Sequence, residues 1–172
     1  RNRPFKFFVP VDAVVSTAID GTKPTRVVDI ASNTLADISS YPKKPTKNSH
    51  TIARDELILD IGPISAGVIS GAISMSKTVV WNGTAGVTET KGLHGTEDPY
   101  SHGTKMIIEA MIGDNHHQKN RPFSVVGGGD TVGYVEDSNL VDEFNHVSTG
   151  GGASLELMSG KVLPGVDVLW DK

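Results

Sequence analysis

The sequence predicts an α/β protein, a mainly parallel sheet with helices on both faces in a Rossmann-like three-layer arrangement. Three observations carry that expectation. Short apolar runs alternate with segments of helical spacing along most of the chain. From residue 57 onward the order reads β-α-β-α-β-α-β-α, and strand–helix–strand units build parallel sheets. Each of those strands ends in a glycine-bearing corner, at the end of the strand where open α/β sheets collect ligands.

Taken in order, residues 6–15 (KFFVPVDAVV) are apolar and rich in β-branched side chains, and predict a buried strand made irregular by Pro10. Residues 26–30 suit a short edge strand. Residues 36–51, with Pro42, Pro45 and the lysines around them, predict a solvated loop. Residues 57–61 form the next strand, stopped by Gly62-Pro63, with Pro63 fitted to the first turn of a helix. Ile64, Val68, Ile69, Ala72 and Ile73 recur at helical spacing and place that helix over 64–76. Residues 78–81 are a strand running into Asn82–Gly86, and 88–99 a long polar loop. Met106, Ile107, Ala110 and Met111 give an apolar face to a helix over 100–112. After a polar connection over 113–122 come a strand at 123–126, a helix from about residue 130, a strand at 145–148 and a helix from about residue 152. The corners at Gly62, Asn82–Gly86, Gly127–Gly129 and Gly150–Gly152 are expected to share one rim.

The composition excludes several function classes. A chain of 172 residues is long enough for one domain with a real core. A net charge of -4, no basic block and few aromatic residues speak against nucleic acid as a partner. With no cysteine, disulfides, thiolate catalysis and zinc–thiolate sites are excluded. No apolar run reaches the length of a membrane span, and there is no signal-peptide pattern, so a cytoplasmic location is expected. The chain starts Arg-Asn-Arg-Pro without an initiator Met, which suggests a fragment.

The chemistry concentrates at the corners. In Phe123-Ser124-Val125-Val126-Gly127-Gly128-Gly129-Asp130-Thr131 a strand stops at three glycines, followed by an acid and a hydroxyl. Glycines free backbone N–H groups toward an anion, and the helix that opens there adds unpaired amides and a positive dipole end. Asp130 beside a phosphate makes sense with Mg²⁺ between them. The plainer alternative is packing alone, since glycines tighten many strand–helix corners. A second triplet, Gly150-Gly151-Gly152, repeats the design without an acid. Two cradles, one carrying a metal ligand and one carrying only amides and hydroxyls, suit phosphoryl transfer. Asn82 can donate its amide to a phosphate or simply cap its turn. Glu89 can accept from ribose hydroxyls or remain a solvated charge. His116 and His117 are adjacent, which is not a ligand spacing, and His146 reads as a packing residue more than a base.

Val79-Val80-Trp81-Asn82-Gly83, Val125 to Thr131, and the run from His146 to Val166 (HVSTGGGASLELMSGKVLPGV) resemble the carboxyl-terminal part of phosphoglycerate kinase. The resemblance covers essentially the whole chain, from Val9-Pro10-Val11-Asp12 to the end, but somewhat under half of a full-length member. It implies part of a nucleotide-binding domain that moves a phosphoryl group between 1,3-bisphosphoglycerate and ADP, giving 3-phosphoglycerate and ATP. By that resemblance Gly127, Gly128 and Gly129 lie against the nucleotide phosphates, with Asp130 taking Mg²⁺ and Thr131 a phosphate oxygen. Asn82 approaches the outer phosphates, Val87 and Leu59 the adenine, and Glu89 the ribose. Gly150, Gly151 and Gly152 receive the moving phosphoryl through their amides.

Departures from the family pattern are Thr84 in place of proline, Thr88 in place of an aromatic residue, Ile58 where glycine precedes Leu59, and a longer stretch over 91–101. Ile58 is expected to narrow the adenine pocket. The family's amino-terminal domain, which binds 3-phosphoglycerate, and its Gly-Gly-Ala-Lys segment have no counterpart here, so the chain is not expected to turn over alone. The full-length protein is expected to be a monomer. The alternative is a non-catalytic Mg-nucleotide-binding module; a dinucleotide oxidoreductase fails on glycine spacing.

Overall fold

The computed structural model describes residues 5–30, 52–93, 96–113, 121–148 and 150–170. The chain divides into two compact units, residues 1–73 with 85–110, and residues 74–84 with 111–172. Among the described residues no helix is long and apolar enough to cross a membrane.

The first unit holds β1 (Asp12–Ser16), β2 (Arg26–Asp29) and β3 (Leu57–Ile61) in the order β2-β1-β3. Both pairs are antiparallel, with Ala13 opposite Val28 on one side and Ile61 on the other. The nine residues from 17 to 25 are too few for the crossover that parallel pairing requires, so β1 and β2 turn back on each other. Ala13, Val15, Val28 and Leu59 bury one face of this sheet, joined by Ala66 and Ile73 of α1 (Pro63–Ser74) and by Ile107 and Ile108 of α2 (His102–Ile112).

The start of α1 is held from a distance. Asp12, buried in β1, accepts the Ile64 and Ser65 N–H groups at 2.9 and 2.8 Å and the Ser65 hydroxyl at 2.5 Å. The first amides of a helix have no partner within it, and a carboxylate there also meets the positive end of the dipole. Pro63 opens the helix as expected.

The first strand is shorter than expected. Residues 5–10 have no regular structure, and Phe5, Phe7 and Val9 are exposed. Pro10 offers no N–H and fixes φ, so pairing begins only beyond it. At the other end of the sheet Arg26 of β2 reaches Glu56, one residue before β3, through Nε and Nη2 at 2.6 and 2.5 Å. That guanidinium, helped by the Ala53 N–H, holds the Glu56 carboxyl at about 2. The folded value lies below the ordinary 4.5, so the pair stabilises the unit above that pH, and the contribution disappears as pH falls from 4.5 toward 2. Arg26→Met should therefore flatten the acid-unfolding curve in this window when followed by circular dichroism. An unchanged curve would show that the pair contributes nothing.

The second unit carries the parallel sheet, β4 (Thr78–Asn82), β5 (Phe123–Gly127) and β6 (His146–Val147), in the order β4-β5-β6. The α3 helix (Gly129–Asp137) follows β5. A 3-10 turn (Val141–Glu143) precedes β6, and α4 (Gly152–Met158) and α5 (Pro164–Trp170) follow it. Trp81, Val126, Val132, Val135 and Phe144 form its core, with the Trp81 and Phe144 rings 6.2 Å apart. The α/β class and a parallel sheet are as the sequence predicts, but β3, expected in that parallel sheet, pairs antiparallel with β1 instead; the 3-10 turn and α5 are additions. The expected loop over 36–51 lies outside the described residues, as does most of the connection over 113–122.

Candidate functional site

Three corners leave the carboxyl edge of the parallel sheet. Asn82 and Gly127, the last residues of β4 and β5, stand side by side in the register. The pairing of β6 with β5 carries on one residue, the Ser148 N–H donating to the Val126 carbonyl at 2.8 Å, and Gly150–Gly152 follow directly. The fourth corner, Gly62, follows β3 of the other sheet.

The β5–α3 corner is shaped by the backbone. Gly128 has φ 91, a left-handed value that other residues avoid, and its carbonyl accepts the first helical bond from the Val132 N–H at 2.9 Å. A Cβ on Gly128 would stand 3.0 Å from Asn82 Oδ1, so the Asn82 amide lies directly against this peptide. Gly129 meets nothing within 4 Å, which leaves the opening of α3 clear. The Asp130 carboxylate is exposed in the first turn of α3. Thr131 is fully buried and its hydroxyl accepts the Gly83 N–H at 2.7 Å. It thus fastens the β4 corner to α3.

The β6–α4 corner is looser. Gly151 has φ 51 and ψ -128, and neither it nor Gly152 would meet anything within 4 Å if given a Cβ. The Ser148 and Ser154 hydroxyls share a hydrogen bond at 2.7 Å, and Ser148 accepts the Gly150 N–H at 3.3 Å. His146, read from sequence as a packing residue, is exposed, because β6 is the outer strand of the sheet. His116 and His117 lie outside the described residues.

The remaining expected site residues belong to the first unit. The Val87 N–H donates to the Leu59 carbonyl at 2.9 Å, so the two residues assigned to adenine are neighbours. Leu59 itself is buried, and Ile58 points to the other face of the strand with 59% exposure, so it does not crowd the side where Leu59 lies. The Thr90 N–H donates to the Val87 carbonyl at 3.4 Å, closing a turn with Thr88 and Glu89 at its centre. Thr88, one of the departures from the family pattern, is buried, and Glu89 is exposed.

Two groups near this turn escaped the sequence reading. Asp60 is buried at 2% exposure and accepts the Gly103 and Ile61 N–H groups at 2.9 and 2.8 Å. Burial pushes its carboxyl above the ordinary range, against the pull of those amides and of His102. Thr104 takes the Ala85 N–H at 3.0 Å. An acid in the otherwise apolar run LILDI was the visible signal for Asp60; nothing in the spelling marked Thr104.

Among the described residues no group of three acidic or histidine side chains stands together. The single exposed carboxylate of Asp130 is unsuited to a resident metal cage. It does suit Mg²⁺, which takes one or two carboxylates and completes its shell with phosphate oxygens and water.

The model of the family described as "Phosphoglycerate kinase" matches residues 1–161. The phosphoglycerate kinase of Chloroflexus aurantiacus is 37% identical over 169 residues, 98% of this chain and 35% of the relative. That of Dictyoglomus turgidum is 36% identical over 172 residues, 100% of this chain and 36% of the relative. The solved phosphoglycerate kinase from Coxiella burnetii superimposes with a TM-score of 0.69 at 28% identity, over 94% of this chain and 33% of its own. The chain spans about a third of the length of the curated relatives it matches.

Proposed function

The chain belongs to the phosphoglycerate kinase family, and from that membership we propose that it supplies the nucleotide side of a phosphoryl transfer between 1,3-bisphosphoglycerate and ADP. The products are 3-phosphoglycerate and ATP, and the acid substrate is held by a part of the protein beyond these residues. The protein works as a soluble cytoplasmic monomer in glycolysis, and residues 1–172 are part of its carboxyl-terminal domain.

The observation that carries this reading is the β5–α3 corner, where a positive-φ glycine, the open start of a nine-residue helix and one exposed carboxylate meet. Gly127, Gly128 and Gly129 offer amides to the nucleotide phosphates, aided by the dipole of α3. Asn82 donates from the adjacent strand end, and Thr131 gives its hydroxyl proton to a phosphate oxygen while holding Gly83 in place. Asp130 holds Mg²⁺, whose charge, when bound, offsets that of the phosphates. Leu59 and Val87 line the adenine, and Glu89 accepts from the ribose hydroxyls. Gly150, Gly151 and Gly152 direct amides at the group in flight, where charge develops, and no side chain needs to be deprotonated.

The test is an ADP titration with and without Mg²⁺, in the full-length protein that carries this chain. Asp130→Ala should weaken binding of the Mg-nucleotide by about tenfold or more, and metal-free binding by less than about twofold. Equal losses would show that Asp130 is not at the metal. A non-catalytic Mg-nucleotide module would give the same binding result, but no ATP from 1,3-bisphosphoglycerate.

A further inference from the structure

We propose that the turn between β1 and β2 is a brace for the ribose-binding carboxylate of Glu89, with Thr90 and Tyr100 as the positioning residues that link the two. The proposal rests on the nucleotide reading above and adds to it a support that the family resemblance did not indicate.

Glu89 is the one exposed residue of its turn; Val87 and Thr90 are half-buried and Thr88 is buried. The upstream flank is tied to β3 by the Val87–Leu59 bond. The downstream flank is tied elsewhere. The Thr90 hydroxyl donates to the Ile19 carbonyl at 2.7 Å, and the Tyr100 hydroxyl donates to the neighbouring Ala18 carbonyl, also at 2.7 Å. Tyr100 is 0% exposed and its bond is partly buried, whereas the Thr90 bond lies at the surface.

The fit is close as well as bonded. A Cβ on Gly21 would lie 3.2 Å from Thr90 Cγ2 and 3.4 Å from Pro99 Cγ, so the tip of the β1–β2 turn packs directly on both ends of the 90–99 segment. That segment is closed at its base by Asp98, which accepts the Gly92 N–H at 2.9 Å and pairs with Lys91 at 3.4 Å. A carboxylate on a free loop would lose side-chain and backbone freedom on meeting a ribose. Here that freedom is removed in advance, and preorganisation of this kind raises affinity without adding contacts.

The experiment compares ADP with 2′,3′-dideoxyadenosine diphosphate, which lacks the hydroxyls that Glu89 is to accept from. Both are titrated into the full-length protein, wild type and Thr90→Val, Thr90→Ser and Glu89→Gln. Thr90→Val keeps the shape and removes the donor. It should weaken ADP about fivefold, a typical value for one lost hydrogen bond, and the dideoxy analogue less than about twofold. Thr90→Ser should restore the wild-type preference, and Glu89→Gln should reduce it at least as much as Thr90→Val does. Equal loss for both nucleotides, or a lower melting temperature with the preference intact, would overturn the brace while leaving the nucleotide reading standing. If the wild-type protein binds neither nucleotide, the nucleotide reading fails, and the brace with it.

Discussion

A valine at Gly152 should lower turnover of the full-length enzyme about a hundredfold, because its bulk keeps the moving phosphoryl from the corner's amides, and leave ADP affinity within about twofold. The position isolates bulk from strain. Gly152 is the first residue of α4, its φ is not positive, and a Cβ there meets nothing within 4 Å. The Cβ therefore meets no neighbour, and the added bulk stands at the opening of α4, the space proposed for the moving phosphoryl. Gly151→Val adds a second fault, because φ 51 with ψ -128 is a conformation that a β-branched residue avoids. It should reduce turnover at least as far and also lower the melting temperature. Separate measurements of kcat and of the ADP dissociation constant decide the matter. Weak binding with normal turnover at Gly152 would move this corner out of the transfer path.

Alanine at Gly86 should destabilise the protein by about 3 kcal/mol, the upper end of ordinary overpacking, seen as a lower urea midpoint with little change in slope. A Cβ there would overlap the Tyr100 carbonyl and come within 2.6 Å of the Asp60 carboxyl. Neither can retreat. The Tyr100 carbonyl is main chain beside a fully buried ring, and Asp60 is fixed by the Gly103 and Ile61 amides. Gly71→Ala is the control with opposite sign. Gly71 lies inside α1 with nothing within 4 Å of a Cβ, so alanine should stabilise by up to about 1 kcal/mol through helix propensity. If both substitutions proved neutral, the tight approach around Asp60 would be wrong.

Features set by local chemistry were legible in the sequence. Glycines after β4, β5 and β6, Pro63 at the start of α1 and the apolar spacing of α2 each fix a turn or a helix within a few residues, and these elements lie where they were expected. The shape of the β5–α3 corner was legible for the same reason, since three glycines before a helix permit the positive φ of Gly128 and leave the opening of α3 clear. Features set by pairing at long range were not. Residues 6–10 have the composition of a strand, but Pro10 stops the ladder and the four residues before it find no partner. The antiparallel first sheet depended on which strand β1 would meet, and no periodicity reports that. The bonds to the β1–β2 turn were hidden for a related reason. Thr90 and Tyr100 donate to main-chain carbonyls, and every residue carries one of those, so nothing in the spelling of Ala18 or Ile19 announces the bond.

The Asp12 cap has a consequence for how the polypeptide is made. The acid and the amides it holds are separated by more than 50 positions, with β3 between them. During synthesis the hairpin bearing Asp12 leaves the ribosome before α1 and waits with its acceptor unclaimed. The helix that claims it emerges more than 50 residues later and has no local substitute, for Gly62 and Pro63 bring no side-chain acceptor of their own. Nascent chains halted before α1 clears the exit tunnel should therefore remain sensitive to protease, and full protection should wait for α2, whose Ile107 and Ile108 complete the core of the same unit.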